Sequence, residues 1–187
     1  MEDDAILSAE FGKTLERLSD TALDFDVIKL DGANQVLRFG PEIETNGIKL
    51  RAIHQCVTSA AAYLLSKEGA AKLEARASQY CDHLDDFIFT PRDNWTLLQL
   101  APTIAVQGMF IQDDTRNQSQ KIAQSERTSD IRINVSADRG PVKYRLFKEL
   151  RRSLRKLKWK LWQDRRLRAD GGFLGHPPMA SDLGRYR

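Results

Sequence analysis

Only two cysteines occur in this chain, Cys56 and Cys81, and their separation matches no metal-ligand spacing. Two thiols make no disulfide framework, so a small stapled scaffold is excluded, and both read as buried or half-buried thiols. No run approaches the roughly 18 consecutive apolar residues that a membrane-spanning helix needs. The opening residues are acidic and lack the apolar stretch of a signal peptide, so a cytoplasmic location is expected. No internal repeat is visible. Histidine is scarce too: His54 and His83 stand alone near predicted strands and read as structural or surface residues rather than ligands.

What is present suffices for one domain with a tail. Of 187 residues, 41% are hydrophobic and 8% aromatic, enough to pack a core, while 29% charged residues favour solubility. The net charge of +3 conceals an asymmetry. Between Val142 and Arg168, twelve Lys and Arg residues face only Glu149 and Asp164, so the segment carries +10 and the remainder −7. An acidic body and a basic tail suggest two separate jobs.

Phe11, Leu15 and Leu18 are spaced by four and three, which predicts a helix with one buried face. Asp24–Leu30 alternates like a short strand closed by Asp31-Gly32, and Gln35–Ile48 reads as irregular or as short paired strands. Cys56–Leu65 ends in a strand. Ser66 then caps an Ala-rich helix that has Gly69 at its third position. Pro91–Asn94 reads as a turn, and Leu97–Gln107, interrupted by Pro102, as an edge strand. Gln112–Ser129 is polar and reads as a loop. The alternation of strands and helices predicts an α/β domain.

From Val142 the period turns helical: Phe147, Leu150, Leu154, Leu157 and Leu161 form a stripe, with Trp159 and Trp162 on its shoulders. The helix should stop near Asp170-Gly171-Gly172, with an unstructured end from Pro177-Pro178. Such a helix suits an anionic membrane surface, through Arg151, Arg152, Arg155, Lys158, Trp159 and Trp162. Nucleic acid is the rival partner, and packing against the body is the third use.

Glu2-Asp3-Asp4 is an acidic cluster whose self-repulsion calls for a cation or a basic partner. In extended chain Glu2 and Asp4 share a face and can reach one ion; the plain alternative is an acidic, frayed end. Glu2–Leu7 with Phe11, then Phe25–Leu30, resembles the acidic motif region of family 25 glycosyltransferases. Thr58–Ala70, Leu84–Phe89 and Leu100–Gln107 with Ser129-Asp130-Ile131 resemble further blocks of that family, in the same order.

The resemblance implies a GT-A-like mixed sheet flanked by helices over residues 1–140, with the basic helix and tail over 141–187. It implies inverting transfer of a sugar, galactose from UDP-galactose foremost, to a lipid-anchored lipopolysaccharide or lipooligosaccharide acceptor. The location that goes with this is peripheral on the cytoplasmic side of the inner membrane. Asp4 and Glu2 would hold Mn²⁺ or Mg²⁺, and Glu2 or Asp3 the ribose or a metal-bound water. Asp85 or Asp86 would be the general base, and Tyr63, Phe87 and Trp95 could line an acceptor pocket. The bland use of Asp85 and Asp86 is to favour a helix N-terminus, and that of Tyr63 and Phe87 is core packing.

Family members carry a nucleotide-binding βαβ segment before the acidic motif, and this sequence shows none, leaving an expected sheet edge at Ala5. The alternatives are therefore a truncated inactive remnant, a basic-helix binding module, or a nucleic-acid-binding protein with an α/β body.

Overall fold

Strands with two buried faces form the centre of the molecule. The computed structural model describes residues 4–78, 83–112, 146, 149–150, 153–154, 159 and 163–187. β1 (Ala5–Leu7) leads into α1 (Phe11–Ser19), followed by β2 (Val27–Lys29), β3 (Asp31–Gly32), β4 (Leu37–Thr45), β5 (Ile48–Ile53) and β6 (Tyr63–Leu65). Then come α2 (Lys67–Ala77), α3 (Leu84–Phe89), β7 (Leu97–Leu100), β8 (Ala105–Gln107) and β9 (Ile111–Gln112). The C-terminal part adds α4 (Asp164–Ala169), β10 (Phe173–Gly175) and β11 (Arg185–Tyr186).

A six-stranded mixed sheet runs β10-β4-β5-β7-β2-β6, in which β2 and β7 are the parallel pair. Side chains alternate across it. Val27, Phe39, Ile53 and Leu97 meet Leu73 of α2 and Ile88 and Phe89 of α3. Ile28, Leu50, Leu98 and Leu100 meet Leu18, Leu15 and Phe11 of α1. A strand covered on both faces reads as a continuous apolar run, as Val27–Leu30 and Leu97–Leu100 nearly do. A smaller sheet is ordered β1-β8-β3 among the described residues, and β9 pairs with β11.

Ser66 caps α2 as expected: its Oγ accepts from Gly69 N at 2.9 Å. Gly69 is required where it stands, because a Cβ there would lie 2.4 Å from the Asp26 carbonyl oxygen. Helix propensity alone favours alanine by about 1 kcal/mol, but a clash with backbone oxygen cannot be relieved by a rotamer change and outweighs it. Asp26 is itself buried, accepting from Lys72 Nζ (2.6 Å) and Thr96 N (2.7 Å), so the helix and the turn before β7 are tied to one carboxylate.

Three expectations are corrected. Gln35–Ile48 contains the nine-residue β4, joined to β5 by an Asn46-Gly47 turn with φ of 48° and 68°. Such a turn matches the twist of a hairpin, but an irregularity between Phe39 and Glu42 breaks the period-two pattern that would have disclosed the strand. Leu97–Gln107 is two strands in different sheets, and β7 is central, between β5 and β2. Pro102 lies in the connection, where its missing N–H costs no ladder bond. The end beyond Pro177-Pro178 is ordered. Asp182 accepts from Ala9 N at 2.7 Å, Thr103 N donates to Pro178 O at 2.7 Å, and Leu183 is buried.

α4 stops at Asp170 with Gly171 at φ 84°, where the sequence placed the end of the basic helix. Arg38 of β4 grips Asp164 with two bonds, of 2.7 and 3.1 Å, joining α4 to the main sheet.

Candidate functional site

In open α/β sheets the carboxyl ends of parallel strands are where ligands sit, and here that end of the β2–β7 pair is polar. Lys29 and Gln99 pair directly in register, on the face that carries Val27 and Leu97. Lys29 and Asp31 are fully buried, and Lys29 Nζ donates to Asp31 Oδ1 and to the Ser59 carbonyl, each at 2.5 Å. The Phe89 ring of α3 lies 4.7 Å from the ammonium. Gln99 Nε2 donates to the Lys29 and Asp31 carbonyls, both at 3.1 Å, which holds the chain as it passes from β2 to β3.

Ser59 closes the cluster. Its Oγ donates to Asp31 Oδ2 at 2.6 Å and its N–H donates to Asp85 Oδ2 at 2.9 Å, while its backbone stands at φ 75°. Asp85 and Asp86 occupy the first turn of α3, where carboxylates suit the helix dipole, which is their bland use. Their side chains diverge. Asp86 Oδ1 accepts from Cys56 Sγ at 3.0 Å, and that sulfur accepts from Thr90 Oγ1 at 3.3 Å.

Asp4 precedes β1 on the far side of β8 from Asp31. Gly108 N donates to its carbonyl at 3.3 Å, and one oxygen of its carboxylate is buried. Two strand spacings separate the Asp4 strand from the Asp31 strand, about 10 Å. Glu2 and Asp3 lie outside the described residues, as do Cys81, Arg151, Arg152, Arg155, Lys158 and Trp162. Among the described residues no group of three or more His, Cys, Asp or Glu is arranged to hold a metal ion. A carboxylate such as that of Asp4 offers the hard oxygen that a divalent ion takes beside phosphate ligands.

The aromatic expectations divide. Tyr63 packs edge-on against Phe89 at 5.5 Å and Phe87 lies against the core, as core packing predicts. Trp95 cannot line an acceptor pocket: it is buried among Ile88, Phe89 and Leu97, with Nε1 donating to the Ile88 carbonyl at 3.1 Å. Trp159 is half-buried, its ring 5.5 Å from His54 and 5.5 Å from the Arg38 guanidinium. It therefore packs partly on the body. Burial beside that ring pushes the His54 pKa down, in keeping with a structural histidine. His83 is exposed at the N-terminus of α3 and makes no capping bond with its side chain.

Lys29, Asp31, Ser59 and Gln99 were not anticipated as site residues. Lys29 carried a signal, because a lysine at the position alternating with Val27 in an otherwise apolar strand has to be buried with a partner. Asp31-Gly32 looked like a turn and is a strand. No family model, curated protein or solved structure matches this chain.

Proposed function

We propose that this chain transfers a sugar from a nucleotide sugar to a saccharide hydroxyl with inversion, using Asp85 as general base. The observation that carries the reading is the Asp85 carboxylate, half-buried and braced by the Ser59 N–H beside the carboxyl ends of the parallel strands. The ordered resemblance to family 25 glycosyltransferases supports it and points to UDP-galactose and a lipid-anchored saccharide. In the reaction the acceptor oxygen bonds to the anomeric carbon as the bond from that carbon to the diphosphate breaks. The hydroxyl proton passes to Asp85, and the nucleoside diphosphate leaves. Asp4, with Glu2, would hold Mn²⁺ or Mg²⁺, which when bound neutralises charge on the leaving diphosphate. Glu2 or Asp3 would contact the ribose or a metal-bound water.

Calorimetric titration with UDP-galactose tests the donor half of this reading. Binding should require Mn²⁺ and fall at least about tenfold in Asp4→Ala, the loss of one charged ligand. Absence of binding by UDP-galactose and by other nucleotide sugars, with Mn²⁺ present, would overturn the reading.

A second reading concerns the basic segment. Leu146, Leu150 and Leu154 are helical, four residues apart on one face, and 68%, 59% and 58% exposed, within the stretch that carries +10. An apolar face flanked by Lys and Arg supports attachment to anionic lipid, at about 1 kcal/mol per basic residue near the surface. In flotation the protein should bind vesicles containing anionic lipid and not neutral ones, and Leu150→Asp with Leu154→Asp should abolish it. Equal binding to neutral vesicles, or none, would exclude this reading. Duplex binding that survives both aspartates would favour nucleic acid instead.

A further inference from the structure

We propose that Lys29, Asp31 and Ser59 are positioning residues that act through Asp85, with the left-handed backbone of Ser59 as the piece that aims it. The proposal rests on the glycosyl-transfer reading above and adds how the base is held.

All three polar groups of Ser59 are engaged. Its carbonyl accepts from Lys29, its hydroxyl donates to Asp31, and its N–H donates to Asp85. A residue with a Cβ disfavours φ of 75°, so this conformation persists only where its surroundings over-determine it. Here they do. Lys29 and Asp31 are fully buried, and Gln99 fixes the carbonyls of both. Ala60, Ala61 and Ala62 are buried directly after Ser59, and the Ala62 carbonyl accepts from Leu30 N (2.9 Å) and Asp31 N (3.2 Å), so the whole segment is laced to the strand that carries the ion pair.

The helix that bears Asp85 is tied to the same pair from its other end, because Phe89 sits over the Lys29 ammonium. The carboxylate through Ser59, and its helix through Phe89, are thus both held to the one buried lysine. A buried ion pair is a poor source of net stability, since desolvation offsets its attraction. Strain, full polar engagement and a carboxylate at the end of the chain of bonds together suit precise placement of a reacting group.

The experiment is a double-mutant cycle on the full chain. Ser59→Gly accepts the left-handed backbone and keeps the N–H, but frees the segment and removes the hydroxyl that ties it to Asp31. Its kcat for transfer should fall about tenfold or more, with the nucleotide-sugar dissociation constant within about twofold of wild type and full binding stoichiometry. In an Asp85→Asn background it should cause no further loss, as expected for residues that act as a unit. An unchanged kcat, or the same proportional loss in both backgrounds, overturns the positioning role while leaving glycosyl transfer standing. Hydrogen exchange at the Ser59 amide gives a readout independent of turnover: it should be protected in wild type and deprotected in Asp85→Ala, and an unprotected wild-type amide overturns the brace directly. A protected amide in a wild type that turns over no nucleotide sugar overturns the glycosyl-transfer reading instead, and the assigned role with it.

Discussion

Asp85→Asn is expected to lower sugar transfer by about 10²–10⁴-fold, the span associated with loss of a positioned general base. The amide is nearly isosteric and its oxygen still accepts from Ser59 N, so α3 and the Ser59 segment keep their arrangement. What is lost is the capacity to take the hydroxyl proton. Nucleotide-sugar affinity measured by calorimetry should therefore stay near the wild-type value while the single-turnover rate collapses. Asp86→Asn is expected to be much milder, because that carboxylate is directed to Cys56 Sγ. The opposite ranking would move the base to Asp86, and full turnover in both variants would remove a catalytic role from the pair.

The largest stability effect is expected at Lys29. Its side chain is entirely buried and donates to Asp31 and to the Ser59 carbonyl. Lys29→Met retains most of the volume but leaves the Asp31 carboxylate buried without its countercharge. Removing one partner of a buried pair costs about 3–5 kcal/mol, a large part of the 5–15 kcal/mol by which a domain is typically stable. Urea unfolding should show the loss as a lower midpoint with little change in slope. Replacing both charges, in Lys29→Met with Asp31→Leu, should recover most of the loss, because the uncompensated charge and not the missing attraction causes it. A single substitution costing under about 1 kcal/mol would mean that water reaches the pair.

The two variants separate placement from chemistry. Asp85→Asn should leave stability intact and remove the rate, whereas the charge-free double variant should restore stability without restoring the aim of Asp85. Ser59 accounts for that difference, since its hydroxyl would no longer have the Asp31 carboxylate as its acceptor.

Local signals were readable where one periodicity ran without interruption. Phe11, Leu15 and Leu18 announced α1, Ser66 announced its cap on α2, and Asp170-Gly171 announced the end of α4. Where the pattern was broken, the reading failed. The irregularity after Phe39 hid β4, and Pro102 lent an edge character to β7, which is central. The tail after Pro177 looked unstructured because its order comes from bonds to Thr103, Ala9 and Phe110, all far away in sequence.

By itself the sequence determined the α/β alternation, the extent of α1, the start of α2, the end of α4, the two acidic clusters and the basic, leucine-striped segment. These depend on residues two to four apart or on composition, and a linear reading can follow them. Only the tertiary structure decided what surrounds Asp85. The Ser59 N–H comes from 26 residues earlier in the chain, and the ammonium that holds the Ser59 carbonyl from 30 residues earlier still. They meet because β6, which follows Ser59, pairs with β2 while α3 packs across that face of the sheet. Strand order and burial, not spacing, turn an inward lysine and a strained serine into the support for a carboxylate.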